Sequence, residues 1–464
     1  MSVVPFAFTG APETWAVGVL RASEWFPRAG PGPRSVSIVD RLVVDGAVLL
    51  WVSIGGPPAR PVLLAARRDG ARLELTSTAA AIAPLADRVA WPTAAGGIVH
   101  WSGLPGPARF IGQVRATATN DVARIALGGR DALLKAYRVV GDGQAEEQAL
   151  AAASAGRMVP RVLARVGYRA AVCADERLIA LVTESVAGQT LDVPLRHSLQ
   201  QAWQAGRARP GPADLSLLHS VRAALETLHG QLAPLGPVTS RPLALRLPGV
   251  LTDINVVREL LPYVVPDSGT QGRAPAARRL LDLAAGRAAT LAAVGEFRTA
   301  PAHGDLHLSH VLVDREQIRF VDLTGPVTAP SPLDDQAALH RAVECLCLDL
   351  QIARAAEATR AGQHDIATAL RAAALVADGG QAGLALAMAG SSTARLAERW
   401  CAHVVAELAG PRRGPAGELF YLARLLHDLR YHAERAATYY ADLAWWHLSR
   451  LLTPRTGHRR GAAA

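Results

Sequence analysis

The chain has 464 residues, enough for two or three domains, and half of them are hydrophobic, enough for large cores. Its net charge is +9, yet no block of basic residues with interleaved aromatics marks a nucleic-acid surface, so no nucleic-acid partner is expected. No basic stretch followed by an apolar run opens the chain, and its apolar stretches are interrupted by charge, which argues for a cytoplasmic protein with no membrane partner.

Residues 1 to about 90 read as strand-rich. The apolar runs of "SVSIVDRLVVDGAVLLWVSI" flank Asp45-Gly46, and "RPVLLAARRDGARLEL" repeats the pattern around Asp69-Gly70, both hairpin signals. Strands continue from 91 to about 190. Within them, "ARIALGGRDALLKAYR" reads as strand, Gly-Gly turn and strand. It contains Lys135, the only lysine in a chain with 49 Lys plus Arg. An Arg-rich composition can leave a lysine by chance. A narrow slot that admits an ammonium but not a planar guanidinium fork would also keep one. Next, "AEEQALAAASAG" (145–156), Ala-rich with acidic residues at its start, predicts a helix.

From about 195 the pattern turns helical. "ADLSLLHSVRAALETLHGQLA" has Asp214 as its predicted N-cap, and "APAARRLLDLAAGRAATLAAV" is a second helix. Segments 334–360 and 416–452 are two more. Pro/Gly/Arg stretches near 204–213, 266–275 and 410–417 read as loops. Cys173, Cys345, Cys347 and Cys401 lack CxxC spacing and read as small buried hydrophobes. A β-rich first part and a helical second part suggest two lobes with a cleft between them.

The stretch richest in chemistry is "PAHGDLHLSHVLVDREQIRFVDLTGP", residues 301–326. It reads as a loop, a strand, a turn at Asp314-Arg315 and a second strand. Asp305 precedes the hairpin and Asp322 ends it. Phosphoryl transfer needs two such carboxylates: one orients and deprotonates the attacking hydroxyl, and the other holds the metal that bridges the phosphates. Either aspartate alone would be read as a loop cap or a strand end. Together, downstream of a lone strand lysine, they point to a kinase. At the start of the following helix, one of Asp334 and Asp335 suffices as an N-cap, leaving the other to brace the catalytic loop.

This segment resembles the catalytic segment of aminoglycoside-phosphotransferase-like kinases, and within them the actinobacterial maltokinases and related glucosamine kinases. The resemblance extends to "TATNDVARIALGGRDALLKAYRVV" and "SPLDDQAALHRAVE" and covers about three quarters of the chain. It implies a bilobal, protein-kinase-like α+β fold: a β-rich cap over 1–90, a nucleotide-binding lobe over 91–190, and a helical lobe over 191–464 with the catalytic loop and sugar site. It also implies ATP and magnesium as cofactors and a monomeric, ATP-dependent phosphotransferase acting on a sugar or amino-sugar hydroxyl. Lys135 would contact the α- and β-phosphates, paired with Glu146 or Glu147. Asn120 would lie in the phosphate-covering turn, and Glu184 to Val186 beside adenine. Asp305 would be the catalytic base, with His303 bracing its loop, and Asp322 would bind magnesium. His310 stands where such kinases carry Asn or Gln as a second metal ligand, and Leu323-Thr324 replaces a more usual ending in Gly.

The acceptor pocket is expected in the helical lobe. There Phe420, Tyr421, Tyr431, Tyr439, Tyr440, Trp445 and Trp446 cluster in a chain that is 5% aromatic. Taken singly, each ring is better read as helix packing. Asp428, Glu434 and Asp442 are candidates to read a sugar hydroxyl or an ammonium. Maltokinases typically carry acidic residues just after the metal-binding aspartate. Here that stretch is "DLTGPVTAPSP", which moves the expectation toward phosphorylation of glucosamine at its 6-hydroxyl. Maltose, an aminoglycoside, or nucleotide binding without turnover are the alternatives.

Overall fold

The computed structural model describes residues 12–23, 36–54, 61–69, 72–116, 119–264, 273–315, 317–323, 330–358, 392–410, 414–435 and 438–452. The chain divides into two compact units. One is Met1–Gly188 with Arg319–Gly325, and the other is Gln189–Ile318 with Pro326–Ala464. The short returning segment brings Asp322 into the first unit, apart in sequence from the strands around it.

The first unit holds two antiparallel sheets. Strands β1 (Val36–Val44), β2 (Ala47–Ile54), β3 (Val62–Asp69) and β4 (Arg72–Leu75) form a meander. Asp45 and Gly46, with φ of 45° and 76°, make the β1–β2 turn and supply the left-handed pair that a two-residue hairpin requires. Both faces of β2 are buried. Val48, Leu50 and Val52 pack with Trp15, Val19 and Leu20 of helix α1 (Pro12–Ala22). Leu49 and Trp51 face the core of the second sheet, where Trp51 stacks on Tyr168 with ring centroids 4.5 Å apart. The α1 helix was not expected in a segment read as strand-rich.

The second sheet has the order β5-β6-β10-β11-β9-β8-β7. Its strands are β5 (Ala90–Pro92), β6 (Ile98–Gly103), β7 (Ala108–Ala116), β8 (Asn120–Leu127), β9 (Arg130–Tyr137), β10 (Val162–Arg169) and β11 (Arg177–Glu184). Helix α2 (Thr78–Ile82) leads into this region, and α3 (Gln144–Ala153) follows β9.

The second unit is mainly helical. Its elements include α4 (Asp192–Gln204), α5 (Pro212–Leu232), α6 (Leu247–Val264), α7 (Arg273–Ala292), α8 (Pro332–Ala358), α9 (Ser392–Leu408), α10 (Gly414–Glu434) and α11 (Thr438–Leu452). Val250, Ile254, Val257 and Leu261 form a helical stripe on α6. It packs with Leu280, Leu281, Ala284 and Ala288 of α7, with Leu422, Leu425 and Leu429 of α10, and with Leu448 of α11. Among the described residues, no helix is long and apolar enough to cross a membrane.

Several details depart from the sequence expectations. The N-cap of α5 is Gly211, and Asp214 sits one turn in, where its carboxylate accepts a hydrogen bond from Gly211 N at 2.9 Å. The segment 416–452 forms two helices, with no Gly or Pro in the sequence to announce the break. Cys173 is exposed, whereas Cys347 is buried and Cys345 and Cys401 are intermediate; none of the four is in a disulfide among the described residues.

Candidate active site

Lys135 is placed by the β8–β9 hairpin, whose turn residues Gly128 and Gly129 have φ of 55° and 78°. Their backbone geometry matches a tight primed turn and fixes the register that pairs Lys135 with Val122 on β8 and Leu181 on β11. Leu134 and Ala136 are fully buried in the sheet core, so the strand's period of two turns Lys135 to the opposite face. There Nζ lies 2.6 Å from Glu146 Oε2 and is also hydrogen-bonded to Asp322 Oδ1. Tyr137, two residues along on the same face, donates from its hydroxyl to the same Glu146 oxygen at 2.7 Å. The Tyr137 ring fills the space where a Cβ on Gly143 would stand, so the residue before α3 must be glycine for the helix to approach.

Glu146 is the partner that the sequence left open. Its neighbour Glu147 turns away to Arg165, 3.0 Å distant. Burial lowers the Lys135 pKa, but the two carboxylates outweigh it and hold the ammonium above its ordinary value. Burial raises Glu146 despite the lysine beside it. Breaking one partner out of such a buried set typically costs about 3–5 kcal/mol.

Asp322 lies just beyond β12 (Gln317–Phe320), not at a strand end as expected, and has φ of 64°. A left-handed aspartate costs roughly 1–2 kcal/mol relative to ordinary backbone. Strain of this kind gathers where a side chain must be aimed. Nearby, Phe320 N donates to Met158 O at 2.7 Å, which ties the returning segment to the first unit. Asn120 is a buried strand residue opening β8 rather than a turn residue, and its Nδ2 donates to Thr119 Oγ1 at 3.1 Å. Glu184 closes β11, where its Oε1 accepts from Arg161 N at 3.2 Å; Val186 follows in irregular backbone, partly buried.

In the second unit, the loop of His303 to His307 is anchored by Asp335, which is fully buried. One Asp335 oxygen accepts from His303 N at 2.8 Å and the other from Gly304 N at 2.9 Å, while His229 Nε2 lies 2.8 Å away. Asp335 is thus the loop brace. Neither aspartate is the N-cap, because α8 begins at Pro332; Asp334 sits in its first turn, where its carboxylate accepts from Ser331 N at 3.0 Å and pairs with Arg246. His303 is fully buried and stacks on His310, centroids 5.8 Å apart. His310 Nδ1 donates to the Asp305 carbonyl at 2.8 Å, so the His310 imidazole holds the backbone of this loop.

The Asp305 carboxylate, 37% exposed, meets two groups that sequence reading did not single out. Arg424 Nη1 donates to Oδ1 at 2.8 Å, and His307 Nε2 lies 3.0 Å from the same oxygen. Burial alone would raise the Asp305 pKa, but the His307 hydrogen bond and the Arg424 charge hold it far below the carboxylate range. Arg424 in turn lies 2.9 Å from Asp428 one turn along α10, and Asp428 lies 3.3 Å from Arg341 of α8. His307 could have been noticed within "HGDLH". Arg424 is 119 residues from Asp305, and only its i,i+4 spacing to Asp428 hinted at a role.

The expected acceptor residues are therefore already charge-paired. Asp428 lies between Arg424 and Arg341, and Glu434 between Arg430 at 2.9 Å and Arg435 at 3.5 Å. The side chains of Asp442, Tyr439 and Tyr440 lie outside the described residues. Phe420, Tyr421 and Trp445 are core residues, each 2% exposed, and the Tyr421 hydroxyl donates to half-buried Glu344.

For magnesium, the Asp322 carboxylate is the kind of oxygen donor the ion prefers. His310 offers nitrogen and has committed Nδ1 to a backbone carbonyl, a poorer match. Among the described residues, no group of three or more His, Cys, Asp or Glu is gathered to hold a metal.

Among solved structures, a glucosamine kinase in its crystal form B aligns over 94% of this chain and 99% of its own, at 16% identity and a TM-score of 0.51. A glucosamine kinase in complex with glucosamine, ADP and inorganic phosphate aligns over 94% and 99%, at 16% identity and 0.49. A thermostable mutant of an aminoglycoside phosphotransferase, in ternary complex with AMP-PNP and hygromycin B, aligns over 75% and 94%, at 13% identity and 0.43. No family model matches the chain, and no curated protein matches it in sequence. The likeness to crystal form B is one of fold: this chain has the mixed α+β fold of that glucosamine kinase.

Proposed function

We propose that the protein is an ATP-dependent kinase that transfers the γ-phosphate to a sugar hydroxyl, with the 6-hydroxyl of glucosamine as the acceptor. The observation that carries the reading is the environment of the sole lysine: a part-buried ammonium paired with Glu146, which Tyr137 in turn holds by a hydrogen bond, and touching the carboxylate of Asp322. A strand lysine paired with a helix glutamate is the arrangement that protein kinases use to fix a phosphate-binding lysine. In this reading Lys135 binds the α- and β-phosphates, with Asn120 near them and Glu184 to Val186 beside adenine. Asp322 would hold magnesium, with His310 at most an outer partner. Magnesium, when bound, neutralises charge across the β- and γ-phosphate oxygens.

Asp305 orients the acceptor and takes its proton, on a loop that Asp335 holds by two backbone amides and that His303 and His310 pack. The acceptor oxygen bonds to the γ-phosphorus as the bond to the β–γ bridging oxygen breaks, and ADP leaves with that electron pair. Two features favour glucosamine: the likeness in fold to a glucosamine kinase, and the stretch after Asp322, which lacks the acidic residues typical of maltokinases.

The test is ADP release from ATP and magnesium with glucosamine, glucose, maltose, N-acetylglucosamine or an aminoglycoside. Fastest release with glucosamine, yielding the 6-phosphate, is expected. A faster acceptor among the others reassigns the substrate, and nucleotide binding without release for any acceptor leaves a regulatory pseudokinase instead.

A further inference from the structure

Arg424 touches Asp305, His307 and Asp428 at once, and the three contacts are unequal in their surroundings. Asp428 lies on the same helix one turn away, is 14% exposed, and is backed by Arg341, which is 4% exposed. Asp305 is 37% exposed. The guanidinium is thus anchored at its inner end and meets the more open carboxylate at its outer end. Its Nη2 also lies 3.0 Å from His307 Nε2. A planar fork can release Nη1 and keep its other contacts, which a lysine ammonium on the same stem could not.

Asp305 Oδ1, the oxygen that Arg424 holds, is where an acceptor hydroxyl would deliver its proton if Asp305 is the base. We propose that Arg424 is a positioning residue that screens the nucleophile: it keeps Oδ1 engaged until a hydroxyl carried on a bound acceptor takes its place, so that Asp305 serves the acceptor and not water. This rests on the kinase reading above. A hydroxyl presented by a bound sugar competes for Oδ1 with the effective concentration of a tethered group, far above that of a freely arriving molecule. Water must displace a charge-assisted hydrogen bond with no such help. The two outcomes differ only in which oxygen bonds to the γ-phosphorus. A sugar oxygen gives the sugar phosphate and water gives inorganic phosphate, and ADP leaves with the electron pair in both.

The experiment measures ADP release by the full-length protein with and without acceptor, for wild type, Arg424→Met and Arg424→Lys. In Arg424→Met, acceptor-dependent release should fall about tenfold or more, the scale of one lost charged hydrogen bond. Release without acceptor should hold or rise, so the ratio of transfer to hydrolysis falls by about the same factor. Arg424→Lys should recover part of the ratio, and it carries the test alone if the methionine variant does not fold. A merely structural role lowers both rates together, and an unchanged ratio overturns the proposal.

A second arm needs no turnover: the thermal midpoints of Arg424→Met, Asp305→Asn and the double variant. Residues in direct contact should couple, so the loss caused by Arg424→Met should be smaller once Asp305 is neutral; additive losses overturn the hold. A wild type that releases no ADP with any acceptor defeats the kinase reading, and this cycle still decides the pairing.

Discussion

Glu146 Oε2 stands 2.6 Å from Lys135 Nζ, while the adjacent Glu147 lies 3.0 Å from Arg165. Neighbouring residues on a helix point roughly 100° apart, so only one of the two can face the lysine. Glu146→Gln keeps the shape but removes the charge that holds the ammonium. It should lower kcat/KM for ATP by about tenfold or more. Glu147→Gln removes a partly exposed pair and should stay within about threefold of wild type. Steady-state kinetics at varied ATP distinguish the two, and the reverse ranking would mean that α3 presents the other glutamate.

Lys135→Arg preserves the charge but replaces a point donor with a wide fork in a site where the lysine side chain is 15% exposed. Glu146, Tyr137 and Asp322 already crowd the ammonium, leaving little room for three nitrogens. The variant should fold, with a thermal midpoint close to wild type, and lose most of its turnover. Turnover near wild type would make the sole lysine an accident of composition.

Asp305 and Asp322 should fail differently. Asp305→Asn removes the proposed base, so turnover should fall about a hundredfold or more while ATP binding stays nearly intact. Asp322→Asn should weaken nucleotide binding specifically in the presence of magnesium, because the proposed metal ligand is lost. Calorimetric ATP titrations with and without magnesium, alongside single-turnover rates, read both effects. Equal losses of nucleotide affinity in the two variants would show the roles to be misassigned.

Which of these residues could be found without coordinates follows from the distance over which each acts. Lys135 stood out by composition, and Asp305 and Asp322 by their places around a short turn. The β1–β2 and β8–β9 hairpins were legible because Asp45-Gly46 and Gly128-Gly129 are local turn chemistry. The choice between Glu146 and Glu147 was not, because it depends on where α3 begins relative to Tyr137, and that is set by packing over Gly143. Arg424 was missed for a similar reason: its partner lies 119 residues away, and an arginine on an amphipathic helix looks like any solvated charge. The break between α10 and α11 carries no glycine or proline, so helical periodicity alone runs across it.

Asp334 makes stability depend on pH. Burial and the adjacent Asp335 push its carboxyl up to about 6, although Arg246 and Ser331 N favour the ionised form. A carboxyl whose folded pKa exceeds its unfolded value binds its proton more tightly in the native state. Its stabilising contribution is complete below the ordinary value near 3.8 and is lost as pH rises through about 6. Replacing Asp334 with Asn removes that titration. The stability of the variant relative to wild type should therefore climb between about pH 4 and pH 6 and level off above, as measured by urea unfolding across that range. A difference that is flat with pH, or that falls as pH rises, would contradict the direction of the shift.

The last prediction concerns the acceptor. If it is glucosamine, its ammonium needs a carboxylate, and the described candidates on α10 are both already paired. Asp428, 14% exposed, is shared by Arg341 and Arg424, and through Arg424 it supports Asp305. Its loss should therefore reduce transfer to every acceptor alike. Glu434 is 22% exposed, and its partners Arg430 and Arg435 are not connected to Asp305 by any contact described above. It is the better candidate to exchange an arginine for a substrate ammonium. Glu434→Gln should penalise glucosamine by about ten- to a hundredfold in specificity constant and glucose little, the scale of one charge-assisted hydrogen bond in a desolvated site. Asp428→Asn should lower both and leave their ratio unchanged, and Asp442→Asn completes the set. The ratio of the glucosamine and glucose specificity constants in each variant is the measurement. A ratio unmoved in all three removes this region from amino-group recognition, and a wild-type enzyme that prefers maltose defeats the amino-sugar reading.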